Sequence, residues 1–429
     1  MAPTATQSSG ALVLSHMTSP LLKALLARLE EALPQAAALR RELHADPQLS
    51  GAEGPTRDRF VAAADWLDWS PVADTGAWSR LGPGGPAVGL RAELDALPVQ
   101  ESTGVEWASR TEGTMHACGH DVHLAALWAV LRAARDLDLP FGLVPVLQPR
   151  EEVTPPGALD VLASGLLESQ EIEAMIGVHV QPQVPRGVIS TGSGAVNAAY
   201  DSFEIIVRGR PGHGAYPHIA VDAIGCLAQI ITAVAALPAF TIDPTHPTVV
   251  SFGQLSGGTA PNVITDSARA TGTIRTFSQA DQERLHEAIS HTVAGIAAGR
   301  GAAATVRFIR GGPALVNDPG LAKRMDTVLT TLGITVAETP FRSCGSDDFA
   351  EYGSAAASLM TFVGTGRGDG IGLHHGAFLP DRDALSLVAT AYAAGYLAAA
   401  SCLSDSAQLT NAAHVNGPTI PSTASLLAF

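Results

Sequence analysis

The chain is expected to fold as an α/β catalytic domain with a mostly parallel sheet and a smaller ferredoxin-like α+β domain inserted into it. Three observations predict this. Apolar strand segments alternate with helical periodicity between Ala87 and Val180, the rhythm of parallel sheets covered by helices. After Ser190 that rhythm gives way to a βαββαβ order, which is the split unit of ferredoxin-like domains. At 429 residues the chain has room for two to three domains of roughly 150 residues.

The elements follow in chain order. Leu21 to Leu43 carries apolar residues at helical spacing, interrupted by Pro34. Ala87 to Leu90 reads as a short buried strand, Val122 to Leu137 as a helix, and Phe141 to Leu147 as a strand. A helix over Ala158 to Leu167 and a strand over Ala174 to Val180 complete the first α/β stretch. Tyr200 to Val207 then alternates as a half-exposed strand. A helix over Ala220 to Leu237 follows, then strands over Thr248 to Leu255 and Ala268 to Phe277 around a Gly258–Asn262 loop. A helix over Gln279 to Ala298 and a strand over Ala303 to Ile309 close the insert, and the α/β pattern resumes with a helix after Asn317. The implied domains are 20–192 with 310–403 for the main body and 193–309 for the insert. Residues 1–19 and 404–429 are Ser/Thr/Ala-rich without periodicity and are expected to be tails.

Composition excludes several function classes. Lys+Arg 26 against Asp+Glu 41 gives a net charge of −15, a field that repels both a nucleic-acid backbone and an anionic membrane surface. Hydrophobic residues at 46% and a mean hydropathy of +0.19 suit a packed core and argue against disorder. The four cysteines (Cys118, Cys226, Cys344, Cys402) are far apart and form no CxxC, which fits a reduced, cytoplasmic compartment. The N-terminus has no basic segment and only a four-residue apolar run, so no signal peptide is expected. The uncharged stretches Ala223–Ile242 and Ser386–Ser404 read as buried Ala-rich helices rather than membrane spans.

The densest chemistry is His116-Ala-Cys118-Gly-His120-Asp121-Val-His123, just before a helix. A thiolate and an imidazole two residues apart on an extended loop suit Zn, Mn, Co or Ni rather than Mg or Ca; the alternative is a capping loop with satisfied histidines. Glu151 and Glu152 follow an apolar strand, where open α/β sheets place ligands. Neighbours point opposite ways, so one can bind metal while the other serves as general base; an ion pair with Arg150 is the plainer reading. His179 in a core strand is either a ligand or a hydrogen-bonded core residue. His374 and His375 follow a Gly-rich loop. Together these groups come from strand ends of one sheet, and that convergence favours a metal site. In the insert, His213 and His218 lie in a Gly-rich turn, Asn262 on a loop and Arg275 on a strand. Asn262 and Arg275 can bind a substrate amide or carboxylate, or serve as turn residue and surface ion pair.

These motifs resemble the aminoacylase and carboxypeptidase superfamily of dimetal amidohydrolases, within it the hippurate hydrolases, N-acyl-amino-acid amidohydrolases and auxin-conjugate (IAA-amino acid) hydrolases. The matching stretches include RRELHADPQLSGAE, GLRAELDALPVQESTG, GTMHACGHDVH, LQPREE, IGVHVQP, GHGAYPH, GGTAPNVITD, GTIRTF, SDDFAEY and LHHGAF, in the family's order from Arg40 to Leu387. The resemblance implies Cys118, His120, Glu152, His179 and His374 as ligands to two divalent transition-metal ions, Glu151 as general base and Asp95 as the orienting carboxylate. It implies His213 as a histidine reaching an active site, often the partner subunit's, with Asn262 and Arg275 contacting the substrate. It also implies that the insert is a lid that dimerises, giving a homodimer acting on a small N-acyl amino acid or related amide. Removal of an amine from an activated aromatic ring or of a carbamoyl group is the alternative chemistry, and a non-catalytic metal-binding protein the alternative class.

The chain departs from the family pattern at Glu93, Arg150, Pro155–Pro156, Thr265 and Asp347. None removes a matched ligand. Arg150 and the double proline flank the glutamate pair, so an unusual substrate pocket is expected.

Overall fold

The computed structural model describes the backbone of residues 20–415 and the side chains of residues 20–406; the expected N-terminal tail lies outside them. The main sheet has eight strands. From one edge they are Ser70–Val72, Gly76–Trp78, Gly142–Gln148, Ala87–Glu93, Ile172–Pro185, Ala357–Gly366, Val188–Ser190 and Thr335–Val336. The four long central strands are mutually parallel, while the short strands at both flanks add antiparallel pairs. Every residue of Ala87–Glu93 and Gly142–Gln148 is buried, as a sheet covered on both faces requires.

Alternation along the strands splits the core in two. Val88, Leu90 and Ala92 face the helices Pro20–Ala45, His120–Ala134, Pro319–Thr331 and Arg382–Val415. Ala87, Val144 and Met175 face the helices Gly157–Ala163 and Leu166–Ser169.

Four expectations need correction. The first helix runs through Pro34 without a break: Leu25, Leu29, Ala32, Ala36 and Leu39 form one buried face on either side of it, which offsets the roughly 3 kcal/mol that an internal proline costs. The helix expected over Ala158–Leu167 is two, divided at Gly165, which adopts a left-handed φ of 71°. The strand Ala357–Gly366, absent from the sequence reading, is one of the four central strands. The tail expected from Ser404 begins as helix, since the C-terminal helix continues to Val415. Arg324 holds Asp405 across from the neighbouring helix, and the Ser404 hydroxyl donates to Ala400 O at 2.9 Å. Arg382–Ser406 is long and apolar enough to cross a membrane, but 67% of its most apolar window is buried inside the protein, as for a core helix.

A separate four-stranded antiparallel sheet is built from Ala199–Arg208, Thr248–Gly257, Ser267–Thr276 and Ala303–Arg310. Its spatial order is second, third, first, fourth, the arrangement a βαββαβ unit takes when both helices cover one face. Those helices are Ala223–Ala236, capped by the Asp222 side chain, and Gln279–Gly299, capped by Ser278. Phe203, Ile205, Leu227, Ile230, Leu285 and Ile289 fill a core of their own.

Candidate metal centre

The loop His116–Gly119 lies at the N-terminus of the helix His120–Ala134 and is pinned from two sides. His374 N donates to Ala117 O at 2.9 Å, and Val122 N donates to Gly119 O at 2.9 Å. Gly119, between Cys118 and His120, has φ +86°, and a Cβ there would stand 2.5 Å from Val180 Cγ2. Glycine thus lets the loop press against the strand that carries His179.

Strand ends bring the remaining donors to this loop. Ligand atoms of Cys118, Glu152 and His374 lie within 4.8 Å of one another, as do those of His120, Glu151 and Glu152, and those of Glu93, His120, His123 and His179. Cys118 Sγ is 3.5 Å from His179 Nε2, and His374 Nε2 is 3.3 Å from Glu152 Oε1. All five expected ligands are therefore adjacent, and four of them, Cys118, Glu152, His179 and His374, line a cavity of about 260 Å³ together with Glu151.

Hydrogen bonding fixes which nitrogens face the cluster. His120 Nδ1 donates to Asp95 O at 2.8 Å and His179 Nδ1 to Val180 O at 2.7 Å, leaving both Nε2 lone pairs inward. This is the orientation that outer partners impose on metal-binding histidines. His120 Nε2 and Asp95 Oδ1 are buried without a hydrogen-bond partner, and Glu152 Oε1 has only the His374 imidazole, a costly condition that a cation relieves. Asp95 Oδ2 accepts from Ser50 Oγ at 2.7 Å and from Glu152 N at 3.0 Å, so this one residue holds both His120 and Glu152. His123 is different: its Nε2 accepts from Val180 N at 3.0 Å and its Nδ1 meets Glu93 Oε2 at 2.9 Å. Both nitrogens are spent, which leaves it a buttress.

Electrostatics say the same. Burial pushes the Cys118 thiol well up, with Glu152 and Glu151 adding to it. Burial likewise pushes the Glu151 carboxyl well up, as do Glu152, Asp347 and Asp348 against the pull of Arg91. Burial disfavours a charged His120, yet Glu93, Asp95 and Glu152 outweigh it and lift its pKa to about 10. So much negative charge converges here that an imidazole is driven to keep its proton. A divalent cation provides the same compensation and releases that proton. Burial, opposed by His374 and His120, leaves Glu152 below its ordinary value, as a ligand carboxylate needs.

Behind Glu151 lies a network that sequence reasoning missed. Arg91, wholly buried, donates to Gln148 Oε1 at 3.0 Å, Asp347 Oδ1 at 3.0 Å and Asp348 Oδ1 at 2.7 Å, and pairs with Glu93. Tyr352 OH donates to Gln148 Oε1 at 2.9 Å. The adjacent acids of SDDF and the charges inside an otherwise apolar strand were the available signal. A second buried network sits behind the metal loop. Asp121 accepts from Arg40 Nε at 2.9 Å and meets His44 Nδ1 at 3.1 Å.

Arg275 lines a cavity of about 540 Å³ next to Glu151 and Glu152, with Tyr200, Val249 and Cys344. Its NH1 donates to Cys344 O at 3.0 Å. His213 and Asn262 are brought together elsewhere: Gly214 N donates to Asn262 O at 2.8 Å, and both residues are exposed. Neither lines the two cavities around the glutamates. Arg150 does not shape the pocket as expected; it turns to Asp160 on the following helix, and its N–H donates to Glu53 Oε1 at 2.9 Å.

An α/β fold with a soft-donor dinuclear cluster and a free carboxylate beside it defines a metal-dependent hydrolase. The chain belongs to peptidase family M20/M25/M40, whose profile matches residues 89–396. It is 36% identical over 377 residues to a probable hydrolase of Synechocystis, covering 84% of this chain and 95% of that one. It is 33% identical over 366 residues to an N-acetylcysteine deacetylase of Bacillus subtilis, covering 83% and 94%. Among solved structures it is similar to a putative aminohydrolase from methicillin-resistant Staphylococcus aureus, with TM-score 0.81 at 28% identity over 87% of this chain and 98% of that one. It is also similar to a dinuclear metal-binding M20 peptidase of Bacillus subtilis, with TM-score 0.76 at 30% identity over 86% and 98%. The protein is an amidohydrolase.

Proposed function

We propose that the protein hydrolyses the amide bond of an N-acyl amino acid, using two divalent transition-metal ions held by Cys118, His120, Glu152, His179 and His374. The observation that carries this is Glu151: a carboxylate on the cavity wall, beside a ligand glutamate, whose proton affinity is raised by burial and three acids. A structural site has no use for such a group. When bound, the metal ions supply Lewis-acid chemistry, polarising the scissile carbonyl and lowering the pKa of water from 15.7 toward about 7.

The chain's own residues do the rest. Glu151 takes the proton of the attacking water and delivers it to the departing nitrogen. Asp95 keeps Glu152 in place through its Oδ2 and His120 through its carbonyl. Arg275 reads the substrate carboxylate, for which a guanidinium fork suits two oxygens. The acyl group is small or flat: Val153, Pro156, Tyr200 and Val249 bound the wider cavity, and the deacetylase relative points to short acyl groups.

The insert 193–309 acts as a lid and dimerisation domain in this reading. His213 and Asn262, exposed within one protomer, complete the active site of a partner subunit, where His213 donates to the developing oxyanion; such a donor is worth about 100- to 1000-fold in rate. The test is a panel of N-acetyl amino acids, hippurate, an N-carbamoyl amino acid and an activated aromatic amine, with and without chelator. Chelator-sensitive release of an amino acid from the N-acyl substrates supports the reading. Turnover confined to the carbamoyl or aromatic amine substrates overturns it.

A further inference from the structure

A cavity of about 420 Å³ lies on the outer side of the helix Pro20–Ala45, where it meets the start of Arg382–Val415 and the segment before it. It shares no lining residue with the two cavities around Glu151 and Glu152. Four of the 26 basic residues of this acidic chain line it: Arg40, Arg41, Arg367 and Arg382. Their roles differ. Arg40 is buried, and its guanidinium is committed to Asp121, Pro380 O and Asp381 O. It stands 5.4 Å from the Trp107 ring centre, and that ring forms one wall. Arg41 and Arg382 are exposed, and among the described residues neither side chain has a hydrogen-bond or ion-pair partner. Arg367 spends one nitrogen on Leu379 O at 3.2 Å, and the same nitrogen pairs with Asp381 Oδ2 at 3.9 Å.

The cavity's single acid pairs with Arg367 and leaves the charges of Arg41 and Arg382 uncancelled. Asp381 caps the C-terminal helix by accepting from Ala384 N at 3.0 Å, and its other oxygen is held by Arg186 Nε at 2.9 Å. The start of a 34-residue helix at Arg382 adds its positive end to the same spot. The remaining walls are apolar: Ala37, Leu379 and Leu385, besides Trp107. Unpaired guanidinium groups around an aromatic and aliphatic slot match a flat or branched apolar body bearing a carboxylate.

We propose that this cavity is a second binding site, apart from the catalytic centre, for an organic carboxylate with an aromatic or branched apolar body. In a chain of net charge −15, the local cations overcome a field that elsewhere repels such an anion.

The test uses the metal-loaded full chain and follows Trp107 emission, with Trp107→Phe identifying its share of the signal. Phenylacetate is the probe; neutral phenylacetamide and inorganic phosphate are the controls. Phenylacetate is expected to give a saturable change that Trp107→Phe abolishes. Losing one charge-assisted contact costs about tenfold in affinity, so Arg41→Ser with Arg382→Ser should weaken binding about a hundredfold. Ala37→Leu, which narrows the slot without changing charge, should also weaken it. Absence of a saturable change, undiminished affinity in the double variant, or phenylacetamide binding as tightly as phenylacetate would each overturn the proposal. Phosphate binding as tightly as phenylacetate would overturn it too, because the apolar slot would then contribute nothing.

Discussion

Arg91→Met keeps much of the side chain's length and stem while removing its guanidinium. In the native protein that group holds Glu93, Asp347, Asp348 and Gln148, and none of the three acids is more than 6% exposed. Breaking a buried ion pair by deleting one partner costs about 3–5 kcal/mol, because the remaining charge stays buried and uncompensated. Part of that cost is relieved by protonation. Burial already raises Asp348 to about 7 against the opposing pull of Arg91, and without Arg91 it rises further. A carboxyl whose folded pKa is raised destabilises above its unfolded pKa, and the penalty fades as pH falls through the folded value. The deficit of Arg91→Met should therefore be larger at pH 8 than at pH 6. Scanning calorimetry of the metal-loaded protein should read a Tm lowered by roughly 4–9 °C at pH 8. Adding Asp348→Asn should restore part of it, since the two sites share one network. A loss under about 2 °C, a deficit indifferent to pH, or strict additivity in the double variant would refute the reasoning.

Two further outcomes follow from the same geometry. Asp95→Ala frees Glu152 N of the side chain that holds it and removes a carboxylate 3.6 Å from His120 Nδ1, whose bond to the residue 95 carbonyl remains, and metal affinity should fall about 10- to 100-fold by competition with a chelating indicator. For His44, burial opposes a positive charge but Asp121 and Glu101 outweigh it, raising its pKa to about 9. Its stabilisation is full below about 6.5 and is lost as pH rises through about 9. Denaturant titrations should show wild-type stability declining across that window, and His44→Gln should lack the decline.

Much of the fold and most of the centre were legible, and the failures have physical causes. The βαββαβ order was readable because its strands alternate cleanly and its helices have capping residues, Asp222 and Ser278. The strand ending in Glu93 was read only to Leu90. Charges at Arg91 and Glu93 look like a strand's end until Asp347 and Asp348, more than 250 residues away, neutralise the arginine. Ala357–Gly366 mixes Thr and Gly with its apolar residues, and its identity as a strand comes from its neighbour Ile172–Pro185. The five proposed ligands were visible as residue types, but which nitrogen of His120 and of His179 faces inward depends on carbonyls that no local pattern reveals. His123 shows the limit. It belongs to the same motif as His120, yet Val180 N and Glu93 consume it.

The central claim is that Glu151 and Glu152, neighbours in sequence, divide the work, one moving a proton and the other holding metal. The most direct measurement is the metal content of Glu151→Gln alongside its turnover of an N-acyl amino acid. The account predicts about two metal ions per subunit, as in the wild type, with hydrolysis abolished. Loss of metal together with activity would make Glu151 a ligand and contradict it.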